Sequence, residues 1–489
     1  MKHFILYIIT AAASTVFISC TGHNFTSEST SKPPIFPDYC DVTVPVGIAP
    51  LNFCIPNKHI SVEIRNIYGD VVLRSAGRET SFPVKKWHKA LENAPLSVTV
   101  YADGVKYKDF HIYVSDDAID YGLTYRLVPP GYQGFGHMSI RERRLSDFKE
   151  KVLIDNKGVD GECLNCHTTF RTNPDSFSTH VRGSHAATIL HRGGVTDILN
   201  TKTDATGGFF VYPSWSSDGR YIAYSVNSTR QEFYSKAPGR VEVYDEKSDV
   251  VVYDTKENSI IISPLLNTEE HFETHPSFSA DGRILYFCSC PAAKMPEEYR
   301  DTRYSMYSIG FDEKTGIFGN DINTVVNADS LNISLAMPRA SYDGKYILVT
   351  GCSFGTFPIW HKESDLYLVN TETNAIRSAD EINSDNADSF HNWSSNSKWV
   401  VFSSRRDDGL YTRLYLTHMD DGGHFTKPFM LPQRHPLKYY RMLPFSYNTP
   451  DFTSGKSELP SRKLYKALRD KKRKNVTVAS TTVKNIESE

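Results

Sequence analysis

The sequence predicts an all-β protein in which a small N-terminal β-sandwich is followed by a β-propeller of five or six blades. Aromatic residues, which are enriched in strands, make up 12% of the 489 residues, with 28 Tyr and 27 Phe. A short motif with a tight turn recurs four times between residues 212 and 398. Several segments near the N-terminus alternate polar and apolar residues, which is the pattern of half-buried strands.

The charge composition argues against nucleic acid as a partner. The 55 Lys and Arg residues nearly cancel the 57 Asp and Glu residues, so the formal net charge is -2 and the chain has no overall basic field. The 29 Gly and 25 Pro are ordinary for a turn-rich globular protein, which excludes a collagen-like or wholly disordered chain. The sequence contains a single long apolar run, which excludes a polytopic membrane protein.

The N-terminus has the pattern of a lipoprotein signal. A charged start precedes the apolar run Phe4–Ile18, which predicts that residues 1–19 are a signal peptide. Phe17–Cys20 resembles a bacterial lipobox, and this resemblance implies that Cys20 is acylated and anchors the chain to a membrane. The alternative is an ordinary soluble secretory signal. With the anchor, we expect a periplasm-facing protein of the cell envelope, at the bacterial outer membrane.

A tether and a small β domain are expected next. Residues 20–39 are polar and contain Pro, which predicts a flexible tether. Residues 40–124 predict a β-sandwich-like domain, in which Asp103-Gly104 forms a hairpin turn. Three segments of this domain alternate at period two: Ile60–Ile64, Leu96–Val100 and Phe110–Val114.

Four copies of one motif predict the propeller over residues 178–455. Each copy leads through a turn into an apolar strand, and the turn residues lie 63, 62 and 53 residues apart. One four-stranded sheet cannot bury both of its faces, so the copies are expected to pack around an axis. The repeats resemble those of TolB-like β-propellers. The four copies begin at Tyr212, His275, Met337 and Phe390.

A motif that can carry chemistry lies in residues 125–177, predicted as an insert between the sandwich and the propeller. Cys163 and Cys166 are followed by His167 in a C-x-x-C-H pattern, the attachment pattern of c-type haem. In that chemistry the two thiols bond to the haem vinyl groups, and His167 is the proximal ligand of the iron. The motif therefore predicts one covalent haem.

The second iron ligand is predicted to be His180. His185 and Met138 are the alternatives: His180 and His185 follow His167 within loop reach, and Met138 ends a Gly-rich stretch before the motif. A methionine ligand would raise the reduction potential of the haem, and a histidine ligand would lower it.

Two other interpretations of the motif stay open. Cys163 and Cys166, followed by His180 and His185, also have the spacing of a structural zinc site. The two cysteines alone would form a disulfide. An exported chain without neighbouring zinc fingers or a basic recognition helix gives no reason to expect DNA binding.

The order of the segments resembles a known group of proteins. Tyr125–Tyr132, the C-x-x-C-H motif, His180–Gly183 and the propeller repeats occur in the order found in a family of Bacteroides-group TolB-like β-propeller lipoproteins with a cytochrome c-type motif. This resemblance implies the architecture of the chain and does not imply an activity.

Two further features are interpreted without chemistry. Residues 351–355 match the G-x-S-x-G pattern of serine hydrolases, but no helix start follows and too few residues remain for a hydrolase domain, so we expect a chance match and no enzyme. Residues 456–489 are expected to form a disordered tail, whose segment Arg462–Lys474 contains eight Lys or Arg residues.

The sequence as a whole predicts an exported, lipid-anchored, single-haem c-type protein. Its propeller would be a docking surface for another protein, and its function would be electron relay. The alternatives are a non-enzymatic propeller scaffold, or a glycan- or peptide-binding lipoprotein, in which the C-x-x-C-H motif is a zinc or disulfide clip.

Overall fold

A computed structural model of the chain describes residues 25–129, 136–206, 210–234, 241–442 and 445–479. The predicted signal peptide and Cys20 lie outside these ranges, as do the last ten residues of the chain. Within the described ranges, the helices are all too short or too polar to cross a membrane.

The N-terminal unit is a single branched sheet with one helix. Its elements are β1 (Ser27–Glu28), β2 (Val42–Pro45), β3 (Ile60–Arg65), β4 (Val71–Gly77), α1 (Val84–Leu91), β5 (Leu96–Ala102), β6 (Val105–Lys106) and β7 (Phe110–Ser115). β5 pairs with β3 along one edge and with both β6 and β7 along the other, so all seven strands belong to one sheet. The sequence predicts a sandwich of two sheets here, whereas the structure has one sheet. The two sets of strands are joined because β5 pairs with both β6 and β7.

The remaining described residues form six sheets, each built on four antiparallel strands, which we call blades 1 to 6; two of them gain a fifth, parallel strand from the C-terminal segment. Blade 1 contains β8 (Gly122–Val128), β9 (Ser139–Arg144), β10 (Glu150–Asp155) and β31 (Ser446–Thr453). Blade 2 contains β11 (Leu164–Phe170), β12 (Asn173–Val181), β13 (Ala187–Arg192) and β14 (Val195–Asn200). Blade 3 contains β15 (Phe210–Trp215), β16 (Tyr221–Phe233), β17 (Val241–Asp254) and β18 (Ser259–Ile262).

The remaining blades follow in chain order. Blade 4 contains β19 (His271–Phe278), β20 (Ile284–Pro291), β21 (Ser305–Asp312) and β22 (Ile317–Val326). Blade 5 contains β23 (Ser334–Ala340), β24 (Tyr346–Cys352), β25 (Asp365–Asn370) and β26 (Ile376–Ser378). Blade 6 contains β27 (Asp388–Trp393), β28 (Trp399–Ser404), β29 (Arg413–His418) and β30 (Phe429–Met430). Two short helices lie in connections, α2 (Ala328–Leu331) and α3 (Pro436–Arg441).

The innermost strands of the six blades form a closed ring. β31, β11, β15, β19, β23 and β27 each contact the next, and β27 contacts β31. β31 pairs with β8. A strand near the end of the chain therefore completes blade 1, whose other three strands come first in the propeller sequence. Six sheets in a ring, closed by such a shared blade, are the architecture of a β-propeller.

The predicted insert is part of this propeller, which corrects the interpretation of residues 125–177. That segment supplies strands β8 to β12, so it builds blade 1 and most of blade 2. The sequence repeats do not reveal blade 1, because its innermost strand is β31, which lies near the end of the chain.

The predicted disordered tail also differs from the structure as far as residue 479. It contains α4 (Ser461–Arg469), β32 (Lys474–Asn475) and β33 (Thr477–Val478). Leu464 and Leu468 of α4 are buried in the apolar core between blades 1 and 2. β32 and β33 extend blades 2 and 3 by parallel pairing, and Val476 between them is buried. The apolar residues of this segment thus fix it, and its basic side chains lie mostly on the exposed side.

We predict that truncating Phe452 in the closing strand β31 destabilises the whole chain. Its side chain is fully buried in the same apolar core as Leu123 of β8. Phe452→Ala should lower the free energy of unfolding by about 3–5 kcal/mol, the usual cost of removing a buried phenyl ring. Urea unfolding followed by tryptophan fluorescence measures this loss.

The matched control is Phe233→Ala, because the Phe233 side chain is 62% exposed. It should change the free energy of unfolding by less than about 0.5 kcal/mol. Equal effects of the two substitutions would show that β31 does not close the ring.

Candidate functional site

Each of the six innermost strands contains a β-bulge at the equivalent position of its blade. The register with the neighbouring strand shifts there, and one non-glycine residue adopts a positive φ near 50°. Positive φ is uncommon for such residues, so six occurrences at equivalent places identify one repeated β-bulge. The six residues, in blade order from 1 to 6, are Thr449, Cys166, Tyr212, His275, Met337 and Phe390.

The C-x-x-C-H motif contains the bulge of blade 2. Cys166 is its positive-φ residue, and His167 takes the place that Pro213 has in blade 3 and His391 has in blade 6. Cys-His is therefore a variant of a structural repeat as well as the end of a haem-type motif. The structure places it in β11, on the axis of the propeller, and not in an insert.

The four copies of the repeat recognised in the sequence do not include those of blades 1 and 2. In blade 2 the copy begins at Cys166, and it has neither the Pro nor the Asp-Gly turn of the copies in blades 3 to 5. In blade 1 the copy is Thr449-Pro450-Asp451-Phe452, followed by Gly455-Lys456. The second could be found from its Pro-x-Phe and Gly-Lys, which match Pro276-Ser277-Phe278 and Gly282-Arg283.

The bulges surround a cavity of about 140 Å³ on the propeller axis. Cys163, Cys166 and His167 all line this cavity, so the structure brings together the three residues of the C-x-x-C-H motif. The predicted second ligands His180, His185 and Met138 are not part of its lining.

His180 lies on the other face of the blade 2 sheet from His167. The His167 ring stacks on Phe177, with centroids 6.0 Å apart, and Phe177 belongs to the core between blades 1 and 2. Ser178 faces the opposite way, since its hydroxyl lies 2.7 Å from the Tyr224 hydroxyl of blade 3. His180 shares the face of Ser178, because side chains alternate along a strand. The sheet therefore separates the two predicted ligands, and this corrects the prediction that both bind one iron.

The two alternative ligands have other partners. Nε2 of His185 lies 2.7 Å from the Asp160 carboxylate. Sδ of Met138 accepts a hydrogen bond from the Arg126 guanidinium at 3.1 Å. Neither residue belongs to the lining of the cavity that His167 lines.

In the described residues, the motif lines a cavity smaller than a haem and belongs to no grouped set of metal ligands. A cavity of about 150 Å³ holds one benzene molecule, whereas a porphyrin joins four pyrrole rings in one plane. In the part of the chain that the structure describes, no three His, Cys, Asp or Glu side chains are grouped as metal ligands. Cys163 and Cys166 are free thiols, and burial raises the pKa of the Cys166 thiol, so that thiol is protonated at neutral pH.

Three guanidinium groups from three blades line the cavity. They belong to Arg126 of β8, Arg182 after β12, and Arg339 of β23. Asp451 lines the same cavity, and its negative charge acts on Arg339. Arg126 has neutral partners, with Nη1 donating to Oδ1 of Asn165 at 3.2 Å. Burial lowers the pKa of Arg339, whose side chain is half-buried, and the charge of Asp451 opposes this shift.

Asp451 is the one carboxylate in the cavity lining that the structure describes. It accepts hydrogen bonds from the backbone N–H and the hydroxyl of Thr169, at 2.8 and 2.9 Å, and from Nδ2 of Asn392 at 2.8 Å. Burial nevertheless raises its pKa to about 6. With Asp451 ionised, the lining still has an excess of positive charge.

The histidines of the cavity add no charge at neutral pH. Burial lowers the pKa of His167, His275 and His391 to about 3. His391 is held by the Leu348 carbonyl, 2.7 Å from its Nε2, and His275 by the Thr356 hydroxyl at 2.9 Å. These rings therefore shape the cavity, and its charge comes from the three arginines and Asp451.

The G-x-S-x-G match lies outside this cavity. Gly351 and Cys352 end strand β24, and the segment continues through bends to a short 3-10 helix at Pro358–Trp360. Ser353 is exposed. The strand, sharp turn and α-helix that a nucleophile elbow needs are not formed at these residues.

Comparisons with known proteins give structural similarities only. No protein-family model matches the sequence, and no curated protein matches it. TolB from Acinetobacter baumannii is similar with a TM-score of 0.43 and 13% identity, over 76% of this chain and 85% of TolB. Prolyl oligopeptidase B from Galerina marginata is similar with a TM-score of 0.35 and 13% identity, over 63% of this chain and 44% of that protein. Similarities at these TM-scores assign neither a family nor an activity to this chain.

We predict that Asp451 makes the stability of the chain depend on pH between about 4 and 6. Its pKa in the folded chain, about 6, lies above the usual value of 3.8. The folded state therefore binds the proton more tightly, and stability is lost as the pH rises through this window. A shift of this size corresponds to at most about 3 kcal/mol.

The Asp451→Asn variant should lack this pH dependence. Unfolding midpoints of both proteins, measured from pH 4 to pH 8, give the comparison. A difference between wild type and variant that stays constant over this range would contradict the assignment.

Proposed function

We propose that this chain is a non-enzymatic binding protein whose propeller holds a small organic anion in the axial cavity. The observation that carries the proposal is the convergence of Arg126, Arg182 and Arg339 on one cavity, in whose described lining Asp451 is the single carboxylate. Export and acylation at Cys20 remain predictions from the sequence. They would hold the propeller at the membrane, facing the periplasm.

An anion would supply what these side chains lack. A guanidinium that is removed from water is costly unless it is paired, and its planar group of N–H donors matches a carboxylate or phosphate. Of the three arginines, Arg339 also lines the smaller cavity on the turn side of the inner strands. A bound anion would therefore offset the burial of Arg339 and be held at the axis of the ring.

We predict that small anions stabilise the wild-type chain through these arginines. At a ligand concentration ten times Kd, the stabilisation is about 1.4 kcal/mol. Unfolding midpoints with phosphate, acetate and phenylacetate, at constant ionic strength, detect it. Arg339→Gln and Arg182→Gln should each abolish the shift for the anion that produces it.

Arg283→Gln is the matched control, because the Arg283 side chain is 84% exposed on the surface. It should keep the full shift. The proposal is wrong if none of the three anions stabilises the wild type, or if the Arg339 and Arg283 variants respond equally.

Covalent haem is the second candidate, and it would make the chain an electron-relay protein that docks to another protein through the propeller. Its support is that both thiols and His167 line one cavity. The size of that cavity argues against it, as does the position of His180. A bound haem would require His167 alone, or a ligand other than His180, to hold the iron.

A pyridine haemochrome spectrum tests the second candidate. The chain is produced with export and c-haem maturation, alongside a Cys163→Ala/Cys166→Ala variant, and zinc is assayed in the same samples. A c-type α-band that the double variant lacks would establish the haem. The anion proposal predicts a colourless protein with less than about one equivalent of zinc.

A further inference from the structure

The axial cavity has two chemically different sides. Blades 1 and 2 contribute a polar side, with Arg126, Arg182 and Asn165. Blades 5 and 6, with the loop after β24, contribute an apolar wall, and Arg339 of β23 lines the cavity beside it. We define the apolar wall as Met337, Phe357, Ile359 and Phe390.

The apolar wall is a small cluster of its own. Met337 and Ile359 are buried in it, and Phe357 and Phe390 pack against them while remaining partly exposed. It is separate from the large cores that hold the blades together. Partly exposed aromatic rings at a cavity are the usual apolar contact surface of a small-molecule site.

The size of the cavity limits what this wall can contact. A volume of about 140 Å³ is close to the 150 Å³ that accommodates one benzene molecule. A ring of that size can lie against Phe357 and Phe390, but a disaccharide or a peptide cannot enter completely. The anionic group then faces Arg126, Arg182 and Arg339, which line the remainder of the cavity.

Resting on the proposed function, we infer that the ligand is a carboxylate that carries one ring-sized apolar group. The ring contacts the apolar wall, and the carboxylate accepts hydrogen bonds from Arg339 and Arg182. A carboxylate is assigned rather than a phosphate monoester because it is the smaller group and leaves room for the ring. Binding is non-covalent, so the ligand leaves unchanged.

Calorimetric titration of the full-length protein with four probes tests this inference. Phenylacetate carries both groups, acetate lacks the ring, phenylacetamide lacks the charge, and phenyl phosphate replaces the carboxylate. We expect phenylacetate to bind about ten-fold or more tightly than each of the other three. Arg339→Gln should remove the binding of phenylacetate and of acetate.

Substitutions in the apolar wall separate the ring contact from the charge contact. Phe390→Ala and Phe357→Ala should each weaken phenylacetate about ten-fold and leave the affinity for acetate unchanged. Phe390 is a bulge residue with positive φ, so Phe357→Ala provides the same test if the first variant does not fold. Phe354→Ala is the matched control, since Phe354 packs on Tyr299 and does not line the cavity.

The outcomes distinguish this inference from the proposed function. If acetate or phenyl phosphate binds as tightly as phenylacetate, the ligand class is wrong, while anion binding stands. If phenylacetamide binds as tightly as phenylacetate, the negative charge of the ligand does not contribute to binding, and the assignment of a carboxylate is wrong. If none of the anions binds, both proposals fail.

Discussion

The pairing of β31 with β8 is the constraint on which the rest of the structure depends. It joins residues 446–453 to residues 122–128, closes the ring of innermost strands, and completes a blade whose other strands lie at the opposite end of the propeller sequence. It also brings Asp451 beside Thr169, so the same pairing that closes the ring builds one wall of the axial cavity. Without that closure the innermost strands would have no common axis, and the arginines would not converge.

A second constraint, the bulge repeated in all six innermost strands, changes how the C-x-x-C-H motif is understood. Cys166 occupies the same positive-φ place as Tyr212 or Phe390, and His167 the place of Pro213 or His391. A short motif can therefore arise where a structural repeat varies, and its chemistry depends on what surrounds it. Here the surroundings include three arginines, whose positive charge favours an anion over a cationic metal.

The sequence predicts the parts of the fold that carry local signals. The Asp-Gly turns after Tyr212 and His275 predict blades 3 and 4 correctly, because turn and strand are neighbours in the chain. The inner strands of blades 1 and 2 are not predicted from the repeats. The copy in blade 2 lacks the Asp-Gly turn, and the inner strand of blade 1 is β31, far away in the sequence. The sequence also does not predict that the C-terminal segment is ordered. Leu464 and Leu468 of this segment pack in a core formed by residues far away in the sequence. Arg126, Arg182 and Arg339 show no shared pattern in the sequence, so the cavity cannot be found from it.

A crystal structure of the full chain grown with phenylacetate tests the central claim most directly, because it shows where the anion lies. The account predicts one ligand on the propeller axis, with its carboxylate oxygens about 2.7–2.9 Å from the guanidinium groups of Arg339 and Arg182. Its ring would contact Phe357 and Phe390. An axial cavity that holds only water, or a haem or zinc bound at Cys163 and Cys166, would contradict it.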